Sequence, residues 1–157
     1  MSEILINKAR SCSVTGHRQL KDDLDIERLK DIFYKLIDDG GYENFLIGMA
    51  LGFDSLCFTI LQEIREKRKI KLFACIPCES QDKMFNLEQK EKYKKMLESA
   101  DEKIYVSREY TPYCMQKRNR FLVDNSSVLI AYLRKEKSGT SYTVNYAIKN
   151  GISVINV

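Results

Sequence analysis

A chain of 157 residues suits one domain, and folding at that length buries roughly two-thirds of the surface exposed by the unfolded chain. Its 44% hydrophobic and 31% charged residues are those of an ordinary folded protein, and no apolar run approaches the roughly 18 residues of a membrane helix. The net charge of +4 helps an anionic ligand approach but is too modest to indicate a nucleic-acid partner.

Apolar runs and helical periodicities alternate along the chain. Residues 11–15 form a strand-like run that stops at Gly16-His17-Arg18. Residues 25–39 place Ile26, Leu29, Ile32, Phe33, Leu36 and Ile37 on one helical stripe, which Gly40-Gly41 ends. A strand at 44–47 precedes a helix at 54–67 with Leu56, Ile60, Leu61 and Ile64 inward. Residues 71–76 make a third strand, closed by Pro77, and 81–99 a charged helix that buries Phe85, Tyr93, Met96 and Leu97. A strand at 103–106, a helix at 115–125, a strand at 128–132, a helix at 142–150 and a strand at 152–157 complete the pattern. Such alternation predicts a single Rossmann-like α/β domain, a mainly parallel sheet with helices on both faces. With two prolines and no low-complexity stretch, the chain shows no linker and no second domain.

Met1-Ser2-Glu3-Ile4 lacks the basic and then apolar regions of a secretory leader. Five cysteines, an odd number without a regular framework, fit a reducing compartment, so the expected location is the cytoplasm. Cys75-Ile76-Pro77-Cys78 has the spacing of a redox dithiol, but Cys75 falls inside a strand whose alternation buries it. A zinc site would need a second ligand pair, and none has suitable spacing, so no metal is expected.

Parallel sheets bind ligands beyond the carboxyl ends of their strands. Thr15-Gly16-His17-Arg18 follows the first strand: Gly16 would let backbone approach a ligand, and Arg18 would grip a phosphate. His17, the only histidine, is open to three readings: a phosphate or ribose contact, a general acid, or a plain loop residue. The loop Gly48-Met49-Ala50-Leu51-Gly52-Phe53-Asp54 runs into a helix, whose N-terminus can hold an anion without a cationic side chain. The bland alternative is that Asp54 caps the helix while Gly48 and Gly52 only shape the turn. Ser138-Gly139-Thr140-Ser141 offers a third set of backbone donors and another helix N-terminus. Met115 to Arg120 carries Lys117, Arg118 and Arg120, either an anion clamp or an exposed face.

From Thr15 to Val157 the sequence resembles the SLOG superfamily, which joins DprA/Smf proteins to LOG enzymes, and within it the YpsA-like branch. The resemblance is carried by Thr15-Gly16-His17-Arg18, the Gly48 to Asp54 loop and Ile76-Pro77-Cys78 followed by Gln81. It continues through Tyr110-Thr111-Pro112, Arg118-Asn119-Arg120, Val123-Asp124 and Gly139-Thr140 with Tyr142-Thr143-Val144. It implies a Rossmann-like fold whose glycine loops bind nucleotide-type ligands, and it selects Arg118 and Asn119 as ligand contacts. It does not imply one activity. LOG enzymes cleave N-glycosidic bonds of cytokinin nucleoside monophosphates, DprA proteins bind single-stranded DNA, and other relatives sense nucleotide-derived signals. The glutamate of LOG enzymes falls here on Thr143, Asn145 is an amide where many YpsA-like chains carry Glu, and Ser138 stands for a glycine of the usual Gly-Gly-Thr. Glycosidic cleavage needs a carboxylate that this chain lacks at the family's position.

The expectation is therefore a module that binds or senses a phosphate-bearing nucleotide derivative, an NAD- or ADP-ribose-like compound included, through Gly16, His17, Arg18, Gly48, Gly52, Asp54, Arg118, Asn119, Gly139 and Thr140. No cofactor is required; a homo-oligomer or a protein partner is compatible with the family. The first alternative is a nucleotide N-glycosidase that draws its carboxylate from Asp54, Asp124 or Glu79. The second is a DNA-binding or protein-interaction module like DprA, against which stands the lack of a basic strip interleaved with aromatics. Tyr105, Tyr110 and Tyr113 are assigned to core or surface packing in preference to stacking on an adenine.

Overall fold

Residues 5–157 are described by a computed structural model; the first four residues, on which the leader argument rests, lie outside it. A 3-10 turn at Lys8–Arg10 leads into β1 (Ser11–Gly16), followed by α1 (Ile26–Asp38), β2 (Asn44–Ile47) and α2 (Phe53–Arg65). Then come β3 (Lys71–Ile76), α3 (Leu87–Ser99), β4 (Glu102–Tyr105), α4 (Cys114–Asp124), β5 (Val128–Tyr132), α5 (Gly139–Lys149) and β6 (Ser153–Asn156). The six strands form one sheet in the order β4-β3-β2-β1-β5-β6, and every pairing is parallel. β2 and β5 are buried along their whole length, as expected of apolar runs with helices on both faces; Asn44, the polar residue that opens β2, donates to Ser11 Oγ.

Alternation along the strands separates two cores. Val14, Phe45, Ile47, Leu72 and Ile130 face one side, where they meet Leu29 and Phe33 of α1, the apolar stripe of α2, and Tyr93 and Met96 of α3. On the other side Leu129 and Ala131 pack against α4 and α5 through Val123, Val144 and Ala147, while Leu46, Phe73 and Cys75 meet Leu122. Cys75 is thus buried by its strand, as alternation predicts. Each fully buried apolar side chain contributes about 1.5–3 kcal/mol.

Side-chain capping explains where three of the helices start in place of the positions expected. Asp25 is the cap of α1, accepting the amide of Arg28 at 3.0 Å, so Ile26 opens the helix and is 42% exposed, not buried. The helix expected from residue 81 begins at Leu87 because Asn86 and Gln89 form a reciprocal capping box; Phe85 and Leu97 pack only partly. α5 begins three residues earlier than expected, since Ser138 and Ser141 form another such box. That places Gly139 and Thr140 in the first turn of a helix, not in a loop.

Candidate functional site

The sheet reverses its build direction between β1 and β5: β1 leads to β2 on one side, and β5 lies on its other side and leads to β6. At such a switch point the crossovers diverge and open a crevice beyond the strand ends. A cavity of about 280 Å³ occupies it, walled by the ends of β1, α4 and α5 and by the loop that enters α2. Nine walls are residues or neighbours singled out in the sequence: Thr15, Gly16, His17, Arg18, Asp54, Arg118, Asn119, Gly139 and Thr140. Gly48 and Gly52, expected among them, shape the site from behind.

The glycines have different tasks. A Cβ at Gly16 would lie 2.5 Å from the Phe53 ring, and one at Gly52 would overlap the carbonyl of Arg18. Gly52 also has a φ of 80°, closed to most other residues. These two positions let the loop after β1 cross the loop after β2, and the Phe53 amide donates to the His17 carbonyl at 3.1 Å across that crossing. The Gly16 backbone therefore packs closely on another loop while it also walls the cavity. Gly48 makes room for Arg118 and Asp54. Gly139 alone has nothing within 4 Å of its would-be Cβ, so it opens on free space. The amides of Gly139 and Thr140, the first two of α5, have no carbonyl to donate to within the helix. Ser138, in place of a family glycine, has φ −156° and costs no strain; its hydroxyl caps Ser141 instead.

Asp54 does not cap α2. The cap residue is Gly52, and Asp54, one turn position inside, reaches back so that Oδ2 accepts the Ala50 amide at 3.1 Å. Its Oδ1 is buried with no hydrogen-bond partner. Burial pushes this carboxyl up to about 6, against the opposing pull of Arg118, the Ala50 amide and Arg18. Met49, just before, holds a left-handed φ of 64° while its side chain is buried, a strain confined to this loop.

Arg118 is 5% exposed and largely committed to the protein. Nη1 donates to the carbonyl of Gly48 and reaches that of Cys75 at 3.4 Å; Nε donates to Asn119 Oδ1 at 2.9 Å. The side chain thus pins α4 to the ends of β2 and β3. Asn119 is spent on orienting it. Gln81 completes the cluster: its amide donates to the same Gly48 carbonyl at 3.0 Å and accepts from Tyr93 Oη. Arg18 is the reverse case, exposed and with no side-chain ion-pair or hydrogen-bond partner among the described residues, and it lines three adjoining cavities.

His17 joins the two sides of the crevice. Its Nε2 accepts the amides of Arg134 at 2.8 Å and Lys135 at 3.2 Å, so the ring is neutral with its proton on Nδ1. Burial first, then the charges of Lys135, Arg134 and Lys21, hold it below the usual histidine range. It ranks as a clamp between the loops after β1 and β5. Tyr132, which sequence reasoning treated only as a strand residue, is the hub of that clamp. It stacks on Phe53, lies 4.3 Å beneath the Arg134 guanidinium, and its hydroxyl donates to Asp23 while accepting from Lys21. Its place as the last residue of β5, at the switch point, was the available signal.

The other candidate carboxylates lie outside the cavity: Asp124 accepts from Tyr146 Oη, and Glu79 is exposed. Thr143 is fully buried and donates to the Gly139 carbonyl, and Asn145 is exposed. Tyr105, Tyr110 and Tyr113 are exposed, so core packing is not their use. All five cysteines are buried and free, and burial pushes the thiol of Cys75 up to about 12. Among the described residues no three of His, Cys, Asp or Glu gather as a metal site would need, and no helix is long and apolar enough to cross a membrane.

An all-parallel sheet with a walled crevice at its switch point defines a Rossmann-like α/β protein. More narrowly, the chain belongs to the YspA SLOG family, which matches residues 14–153. It is 33% identical over 136 residues to YoqJ, an uncharacterized SPbeta prophage-derived protein of Bacillus subtilis (strain 168), covering 78% of this chain and 80% of YoqJ. In three dimensions it is similar to DNA processing protein A (DprA) of Streptococcus pneumoniae, with a TM-score of 0.63 at 16% identity over 92% of this chain. The chain spans about half of that DprA, 48% of its length. DNA processing protein A of Helicobacter pylori, a single-stranded DNA binder, gives 0.60 at 18% identity over 94% of this chain and 65% of its own. The protein TM1055 gives 0.55 at 18% identity over 92% of this chain and 72% of its own. At such identities these structures speak for the fold alone.

Proposed function

We infer that this protein binds a phosphate-bearing nucleotide derivative in the crevice between β1 and β5, as a sensing or regulatory module of the cytoplasm. One observation carries the reading: the cavity brings the unpaired guanidinium of Arg18 to the open N-terminus of α5. A phosphate there would accept from the amides of Gly139 and Thr140, meet the positive end of the helix, and pair with Arg18. A ribose hydroxyl would meet Asp54 where that residue walls the cavity. Arg118, oriented by Asn119, would hold α4 and the ends of β2 and β3 in place around the ligand.

Thermal unfolding with AMP, ATP, NAD, ADP-ribose, cyclic dinucleotides and a cytokinin monophosphate tests this. A ligand at a hundredfold excess over its dissociation constant adds about 2.7 kcal/mol, visible as a raised midpoint. The expected result is a shift with at least one compound that Arg18→Ala abolishes; no shift from any would refute the reading.

A hydrolytic reading has one observation in its favour. Asp54 is the only carboxylate lining the cavity, and its raised pKa of about 6 suits a general acid or base. Release of free base from a bound nucleotide, lost in Asp54→Asn, would support it; binding without turnover would leave the sensing role.

A further inference from the structure

The crevice cavity is small for a whole nucleotide: about 280 Å³, just under the roughly 300–1,000 Å³ of small-molecule sites. A second cavity of about 410 Å³ adjoins it through two shared walls, His17 and Arg18. Its character is different. Lys21, Arg134, Lys135 and Lys137 join Arg18 around it, and no carboxylate lines it. Asp23 is spent on Arg134 at 2.6 Å and on the Tyr132 hydroxyl, while Asp22 and Glu136 are not among the walls. Arg18, Lys21, Lys135 and Lys137 have no ion-pair partner among the described residues.

Like charges gathered around one concavity repel each other, and the folded chain gains nothing from collecting them. The concavity is nonetheless built firmly. His17 Nε2 ties the amides of Arg134 and Lys135 to the loop after β1, and Tyr132 ties in Lys21 through its backbone. The His17 Nδ1–H, without a partner among the described residues, is a further donor at the boundary of the two cavities.

We propose that this basic cavity holds a second phosphate group of the same ligand, so that the site selects nucleotides with two phosphates over monophosphates. The proposal rests on the reading of the crevice as a nucleotide site. The second phosphate can be joined to the first, as in a nucleoside diphosphate, or carried on another ribose hydroxyl, as in a 3′,5′-bisphosphate.

Isothermal titration of the full chain with AMP, ADP and adenosine 3′,5′-bisphosphate separates these cases. The same titrations are run on the triple variant Lys21→Ala, Lys135→Ala, Lys137→Ala, which removes only exposed side chains. At least one two-phosphate nucleotide should bind tenfold or more tighter than AMP, by a margin that shrinks with added salt. The triple variant should close that gap, and whichever nucleotide shows it identifies the source of the second phosphate. AMP binding with no gain from a second phosphate would overturn the proposal while leaving the nucleotide site standing. A gain that persists in the triple variant would overturn it too, as would binding of none of the three, while the nucleotide site itself falls only if the whole panel above also fails.

Discussion

Asp54 and Arg118 show what a residue's neighbours add to its type. Both were legible as site candidates from chain order, yet their tasks were not. Arg118 looks like a phosphate clamp in sequence, but burial obliges its guanidinium to find acceptors, and the carbonyls of Gly48 and Cys75 supply them. Asp54 is left with one oxygen satisfied and one not. An acid whose pKa is raised by folding binds its proton more tightly in the folded state. Its contribution to stability is therefore greatest below the ordinary carboxyl value of 3.8 and is lost as pH rises to about 6. At 1.36 kcal/mol per unit that loss reaches up to about 3 kcal/mol. Asp54→Asn should raise the unfolding midpoint at pH 7.5 and flatten the decline between pH 4 and 6. Urea unfolding of both proteins across that range measures it, and parallel pH profiles would show that Asp54 is not strained.

At the scale of elements, the site is made by one loop crossing another. Gly52 is legible as a glycine in a loop, but its partner is the backbone of Arg18, far away in the chain, which no local pattern reveals. Gly52→Ala should cost more than the roughly 1–3 kcal/mol of a strained backbone position, because the crossing must also open. Gly139→Ala meets nothing and sits at a helical position, so it should leave the unfolding midpoint within a degree or two while weakening any anion bound over the α5 amides. Equal destabilisation by the two would contradict the assignment of Gly52 to the crossing and Gly139 to the cavity. The start of α5 was misplaced because Ser138 and Ser141 cap it reciprocally, and serines at that spacing read equally well as loop.

For the molecule as a whole, the two cores on either side of the sheet leave the thiols no access to solvent: Cys12 and Cys57 lie among the packed side chains of one face and Cys75 among those of the other. Native protein should therefore react with a thiol reagent only at the rate of opening, with all five cysteines becoming labelled together on unfolding in urea. Fast labelling of Cys75 or Cys78 in the native state would revive a redox role for that pair.

The alternation of apolar runs with helical stripes was enough to establish a parallel α/β sheet with helices on both faces, because strands covered on two sides are rich in apolar residues on both. Order and content of the strand-end loops were enough to point to the family. Tertiary structure alone decided which loop residues face a cavity and which face one another. Gly16 turns to Phe53, Arg118 to the strand-end carbonyls, and Lys21 comes beside Lys135 and Lys137 through Tyr132 and His17. The physical reason is that elements form from near neighbours in the chain, whereas a site at a switch point forms where distant strand ends meet.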